Sequence, residues 1–194
     1  MDSWLENKAS WFPGINGTVL WSHDDDAAAH ASQDVVSVYS EELLMGYRWC
    51  DATGKAPPFA FGHGLDFADW SVSKLRVAGA VSSTSNATVS VTLKHDGDAK
   101  HTTVVQLYLA FPEEAGEPPQ LLRGFSKVSA ETGASTDVEF TLSARDLSIW
   151  SVAAGAWTLV PGAFGIRVGF SSQDIAAIGT LHSSVVDSGQ TAIA

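Results

Sequence analysis

The sequence predicts a mostly β fold: an antiparallel β-sandwich of about seven strands, preceded by an irregular N-terminal arm. Three observations carry this. Apolar residues recur with period two over most of residues 67–183, each run keeps one polar face, and clusters of turn residues separate the runs. Strands of a parallel sheet, buried on both faces, would be apolar throughout, so the one-sided pattern favours an antiparallel sandwich. The length, 194 residues, suits one domain plus a substantial extra segment.

Taken in chain order, residues 1–36 hold Trp4, Trp11 and Trp21 among turn residues, and no period is sustained. They read as an arm. Residues 37–66 read as an aromatic joining segment. Glu41 to Tyr47 is expected to form a turn of helix, and Gly54, Pro57 and Pro58 prevent a long element. Phe59, Phe61 and Leu65 then alternate with small residues around Gly62-His63-Gly64, as an extended segment packed against other protein would.

The sandwich domain is placed at 67–183. Val72, Leu75 and Val77 mark a first strand with imperfect alternation, and Val89, Val91 and Leu93 a second. Val105, Leu107 and Leu109 mark the third; Leu121, Leu122 and Phe125 a shorter fourth; Val138, Phe140 and Leu142 the fifth. Phe164, Ile166, Val168 and Phe170 mark the sixth, and Ile178 and Thr180 the last. Val91, Leu107, Phe140 and Ile166 are expected to face one core, with Glu139 on the opposite face. Ser143-Ala144-Arg145-Asp146 has the form of a capping box at the start of a helical turn. Residues 184–194, small and polar, read as a loose tail.

Composition removes several function classes. The hydrophobic fraction of 45% is enough for a full core. A formal net charge of −11 gives no charge-based hold on a phosphate backbone, so nucleic acid is not an expected partner. The single cysteine, Cys50, excludes an internal disulfide and a Cys-rich zinc site. No secretory signal is read at Met1 to Glu6. Leu147 to Ile166 is uncharged, but its Gly155, Pro161, Gly162 and Gly165 break a helix, so it is read as a buried segment with turns rather than a membrane span.

The motifs resemble a known family. Tyr39-Ser40-Glu41-Glu42-Leu43-Leu44-Met45-Gly46-Tyr47-Arg48-Trp49, then Asp51, then Phe59-Ala60-Phe61-Gly62-His63-Gly64-Leu65 resemble "YSEGLLVGYRWYD" and "FPFGHGLSY" of the C-terminal region of glycoside hydrolase family 3 β-glucosidases. Val104 to Tyr108 resembles "VVQLY", Leu122 to Val128 "LKGFEKV", and Leu142 to Trp150 "LTPRDLSFW". Pro161 to Phe164 with Val168 to Ser172 resembles "PGEYTVxVGASS", and Trp11 to Gly14 resembles "WYPG" near the end of the family's preceding α/β sandwich domain. Cys50 stands where the family usually has an aromatic, and Ser151 where it often has an acid. The resemblance spans roughly 36–183. It implies an immunoglobulin/fibronectin III-like sandwich, with residues 1–36 a remnant of the preceding domain. It also implies that the nucleophilic Asp and the acid/base residue of the family lie in domains upstream of every matched motif.

The acids present do not replace that pair, which must flank a glycosidic bond roughly 5 to 10 Å apart. Glu41 and Glu42 adjoin a structural motif, Glu113, Glu114 and Glu117 share one loop, and Asp24 to Asp26 read as a solvated turn. His23 and His30 flank that run without the spacing of a compact metal site. His63 reads as a structural hydrogen-bonding group, Cys50 as packing, and Trp150 and Trp157 as cover for one end of the sandwich. Asn16-Gly17-Thr18 and Asn86-Ala87-Thr88 fit the glycosylation sequon.

The sequence therefore predicts no catalytic residue, no cofactor and no metal in this chain. The expected function is a non-catalytic structural and interaction module, with Tyr47, Arg48, Trp49, Phe59, Phe61 and His63 as the candidate surface. The expected partner is another protein chain or a second copy, engaged through residues 1–66 rather than the sandwich face. Two rivals stand beside it: a fragment of an active β-glucosidase, and a carbohydrate-binding module using exposed tryptophans.

Overall fold

The structure, a computed structural model, describes residues 41–65 and 68–183. The arm with its His23 to His30 region, the Asn16 sequon and the tail lie outside the described residues. The chain divides into two units, residues 1–45 and 46–194. Of the first, residues 41–45 form a turn in which the Leu44 N–H bonds the Glu41 carbonyl at 2.8 Å.

The second unit opens with helix α1, Tyr47–Thr53, and continues through nine strands. These are β1 (Trp70–Ala78), β2 (Ala87–His95), β3 (His101–Ala110), β4 (Leu121–Ala130), β5 (Ser135–Leu142), β6 (Ser148–Ser151), β7 (Ala156–Leu159), β8 (Gly162–Gly169) and β9 (Ile175–Ser183). One sheet has the order β1-β2-β5 and the other β4-β3-β8-β9, with every pair antiparallel. The seven strands of these sheets are the seven that the alternation predicts. The remaining two, β6 and β7, form a small hairpin that the sequence reading left as an irregular buried segment. Leu147 to Ile166 is thus a 3-10 turn end, this hairpin and part of β8. Among the described residues no helix is long and apolar enough to cross a membrane.

The core lies between the sheets. Val91, Leu107 and Ile166 are closed to solvent and Phe140 is nearly so, while Glu139 is exposed, so the expected register of β5 holds. Val89, Leu93, Val105, Leu109, Phe164 and Val168 complete the facing rows. Every second side chain from Ala87 to Leu93 of β2 and from Val138 to Leu142 of β5 enters this cluster because strand geometry alternates faces.

Where alternation failed in the sequence, a bulge explains it. In β1 the pairing with β2 shifts between Ser73 and Arg76, and Lys74 sits at a positive φ of 52°. The extra residue lets Val72 and Leu75, three apart, face the same side. A second shift, opposite Leu107/Tyr108, leaves Arg123 as the extra residue of β4. Leu121 points inward before it, and Val128 and Ala130 point inward after it. Phe125, which would share a face with Leu121 in a regular strand, is turned outward. β4 is also ten residues long, not the short strand expected.

The capping box forms as read: Asp146 Oδ2 accepts from the Ser143 N–H at 2.8 Å and from its hydroxyl at 2.7 Å, closing a 3-10 turn at Ala144–Leu147. The helical turn expected over Glu41 to Tyr47 is displaced. The helix begins at Tyr47 and stops at Gly54, whose φ of 66° is a left-handed cap that glycine adopts without strain.

Candidate interaction surface

β3 is the strand from which the site is built. Its first half alternates between exposed and half-buried, but from Val105 to Leu109 every residue is buried. The inward row meets the core. The outward row, Gln106 and Tyr108, is covered by the segment from Tyr47 to Phe61. This departs from the single polar face the sequence suggested for this strand.

The cover is polar and aromatic together. The Tyr47 ring stacks on Phe61 at 4.5 Å between centroids and meets Tyr108 edge-on at 6.1 Å. The Tyr47 hydroxyl oxygen accepts the Leu122 N–H at 3.0 Å. The Gln106 amide donates to the carbonyls of Gly62 at 3.0 Å and Phe170 at 2.8 Å, and its oxygen accepts the Tyr108 hydroxyl. Buried polar groups are therefore partnered, as they must be to offset desolvation. Burial pushes the Tyr108 phenol well above its ordinary range. Gly62 is required here: its φ is +80°, and a Cβ would lie 2.2 Å from the Gln106 amide oxygen. The Ser172 N–H bonds the Phe61 carbonyl at 2.9 Å and pins the segment's far end.

Beyond this cover the same face of β3 is open. Val104 beside it and Phe125 on the neighbouring β4 form the floor of a cleft of about 880 Å3 whose walls include Phe61, His63 and Trp70, with exposed Lys127 at its rim. Three lining residues are apolar and open to solvent: Leu65 is 81% exposed, Phe125 70% and Phe61 44%. Phe59, 72% exposed, packs against the His63 ring at 5.6 Å.

The six residues predicted as a surface divide. Phe61 and His63 line the cleft, and Phe59 packs against the His63 ring. Tyr47 folds back onto β3 as part of the cover. Arg48 and Trp49 are half-buried on α1, with Lys55 Nζ standing 4.8 Å over the Trp49 ring. His63 makes no hydrogen bond through its ring among the described residues, so the structural hydrogen-bonding role expected for it is not found; its ring contact is to Phe59. Sequence reasoning missed Phe125, Leu65 and Val104 as surface. The phase of Phe125 is set by the bulge at Arg123, which exists only in the pairing with β3, so the sequence of β4 held no signal for it.

The other candidates sit elsewhere. Glu117 is half-buried near Arg123 and Arg48, and burial raises its carboxyl pKa above the ordinary value against the pull of both guanidinium groups. Burial likewise lowers the Arg123 pKa, opposed by Asp146 and Glu117. Trp150 and Trp157 face each other across the β6–β7 hairpin at 5.7 Å, with the Arg145 guanidinium 3.5 Å above the Trp157 ring. Trp150 is half exposed, so it covers the sandwich less fully than expected. Cys50 is a half-buried free thiol. Asn86 is exposed just before β2. No cluster of three or more metal-ligating side chains occurs among the described residues.

Comparison with known proteins places this geometry. Residues 103–172 match the model of the fibronectin type III-like domain. The chain is 39% identical over 158 residues to a probable beta-glucosidase G of Aspergillus oryzae, covering 71% of this chain and 19% of that protein. It is 36% identical over 157 residues to a beta-glucosidase of Pyricularia oryzae, covering 76% and 20%. Among solved structures, a β-glucosidase from Chaetomella raphigera superposes with a TM-score of 0.71 at 34% identity, covering 78% of this chain and 24% of that one. A family 3 β-glucosidase from Bifidobacterium adolescentis gives 0.72 at 30% identity, covering 82% and 24%. The chain spans about a fifth of the length of the curated relatives it matches. It thus carries a fibronectin type III-like domain and, over the matched region, is similar to part of β-glucosidases, a family 3 enzyme among them.

Proposed function

We propose that this chain is a non-catalytic interaction module that holds another protein surface in the cleft beside β3. The occupant is the globular part that such a region accompanies in a longer β-glucosidase. The observation that carries the reading is the cluster of exposed Phe61, Leu65 and Phe125 lining one cleft. Aromatic side chains in one exposed patch are uncommon on a protein that stays alone. Covering them yields on the order of several kcal/mol before ordering costs are deducted. The small share of the relatives that the chain spans supports assigning any hydrolysis to sequence outside it.

The test is to express the chain with and without the remaining domains of a family 3 β-glucosidase and to compare the wild type with Phe125→Ser. The wild type should co-elute with those domains and the variant should not, with both giving the same urea midpoint. Equal co-elution of wild type and variant would overturn the cleft assignment. Purified alone, the chain should turn over no aryl β-glucoside. Turnover that a single Asp or Glu substitution in this chain abolishes would refute the non-catalytic reading. Light scattering over a concentration series distinguishes a second copy in the cleft, which would replace the proposed occupant.

A further inference from the structure

A second depression, an open pocket of about 590 Å3, lies between α1, the Pro119-Gln120 turn, β8 and β9. Its polar centre is an ordered relay. Gln120, 3% exposed, uses both amide hydrogens, on Asp51 Oδ2 at 2.9 Å and on the Ser172 carbonyl at 2.7 Å. Its amide oxygen accepts from an Arg167 guanidinium nitrogen at 3.0 Å. Asp51 thus meets the nitrogen and Arg167 the oxygen of one planar amide, and neither forms an ion pair among the described residues. Among the described residues, Arg167 spends one of its five N–H groups on Gln120, and Asp51 accepts one bond through one of its two oxygens.

We propose that this pocket binds the vicinal diol of a small polyol or sugar. One hydroxyl oxygen accepts from Arg167 while the neighbouring hydroxyl donates to Asp51, repeating outside the relay what the Gln120 amide does within it. The two charges sum to zero, so the pair offers no net charge to draw an ion from water. A zwitterion would match both charges, but it must give up the hydration of two full charges in an open pocket, whereas hydroxyls give up far less. The volume exceeds what a single carboxamide fills. Gln173 on the wall offers further hydrogen-bonding capacity, and Ile178 and Pro119 offer apolar contact for the C–H face of a ring. With no aromatic platform in the pocket, binding is in the millimolar range. None of these residues lines the β3 cleft, so this proposal and the docking reading stand or fall separately.

The experiment is an amide-correlation NMR titration of the full labelled chain with D-glucose, then glycerol, glycine, acetamide and 2-propanol. Saturable shifts at Asp51, Gln120 and Arg167 are expected with glucose, weaker ones with glycerol and none that saturate with 2-propanol. Asp51→Asn and Arg167→Gln, on different elements, should each weaken glucose binding about tenfold, the loss of a charge-assisted hydrogen bond, while their spectra remain those of a folded sandwich. Linear shifts with glucose would overturn the proposal, as would unchanged affinity in a folded variant. Tighter binding of glycine or acetamide at the same residues would reassign the pocket to a zwitterion or a carboxamide.

Discussion

Gly124 and Phe140 should be energetically coupled, and their coupling tests the packing of the two sheets directly. Gly124 lies in β4 and Phe140 in β5, which belong to different sheets. A Cβ added to Gly124 would stand 2.8 Å from Phe140 Cδ1, inside van der Waals contact, and 3.5 Å from Cε1. Phe140 is 7% exposed, so its ring has little room to retreat. Gly124→Ala should therefore cost about 1–3 kcal/mol as overpacking. That is offset in part by the roughly 0.5–1 kcal/mol that a glycine inside a strand forgoes relative to alanine. Phe140→Ala alone should cost about 3–5 kcal/mol through lost burial and the cavity left behind. In the double variant the new methyl enters that cavity, so the Gly124 substitution should turn from destabilising to neutral or stabilising. A coupling of about 2 kcal/mol is expected from the four urea titrations, within the usual range for residues in contact. Glu139→Ala, on the exposed face, should stay within about 0.5 kcal/mol. Additive effects at Gly124 and Phe140 would refute the inter-sheet contact, and equal costs at Phe140 and Glu139 would put the register of β5 wrong by one residue.

Tyr47→Phe leaves the Leu122 N–H without its acceptor and should lower stability by about 1 kcal/mol in thermal or urea unfolding. Asp146→Ala removes two hydrogen bonds at the start of the 3-10 turn and should cost about 1–2 kcal/mol by the same measurement, with Asp146→Asn costing less. For Tyr108 the folded phenol pKa is raised by burial. Its contribution to stability is therefore complete below the unfolded value near 10 and is lost as pH rises from about 10 toward the folded pKa. Tyrosinate absorbance in an alkaline titration should show one late-ionising phenol whose appearance coincides with unfolding, and Tyr108→Phe should remove that phase.

Much of the sandwich was legible because a strand's face is a local property. Val89, Val91 and Leu93 announce their side of β2 within five residues, and Val138, Phe140 and Leu142 do the same for β5. The β6–β7 hairpin was less legible. Its strands have four residues each, and Ser148-Ile149-Trp150-Ser151 carries too short a pattern to fix a period. The bulge at Arg123 was hidden for another reason. A bulge is defined by pairing with β3, and nothing within β4 alone states which residue will go unpaired. That single shift decides whether Phe125 belongs to the core or to the candidate surface. The polar relay at Asp51, Gln120 and Arg167 was missed for the same kind of reason, since its members come from three separate elements.

The outer face of β3 joins these observations. Along one strand, Gln106 and Tyr108 are sealed by a segment of the same unit, whereas Thr102 and Val104 on the same face remain exposed. The seal takes partners far away in sequence: Gly62 lies 44 residues from Gln106 and Phe170 lies 64. The change from sealed to open comes at the edge of the Phe61-Gly62 turn, where the covering chain leaves the strand. Phe125 pairs with Gln106 in register, so it stands at that edge with its ring exposed. A face whose one half is dried by aromatic rings and whose other half presents them has the composition of an interface core cut where one chain segment ends. The open half then calls for the same chemistry as the sealed half: an aromatic or apolar group against Phe125 and Val104, and polar groups to meet Lys127 at the rim. Charged substitution at Phe125 should therefore disrupt docking more than charge reversal at Lys127, because the core of an interface carries more of its binding energy than the rim.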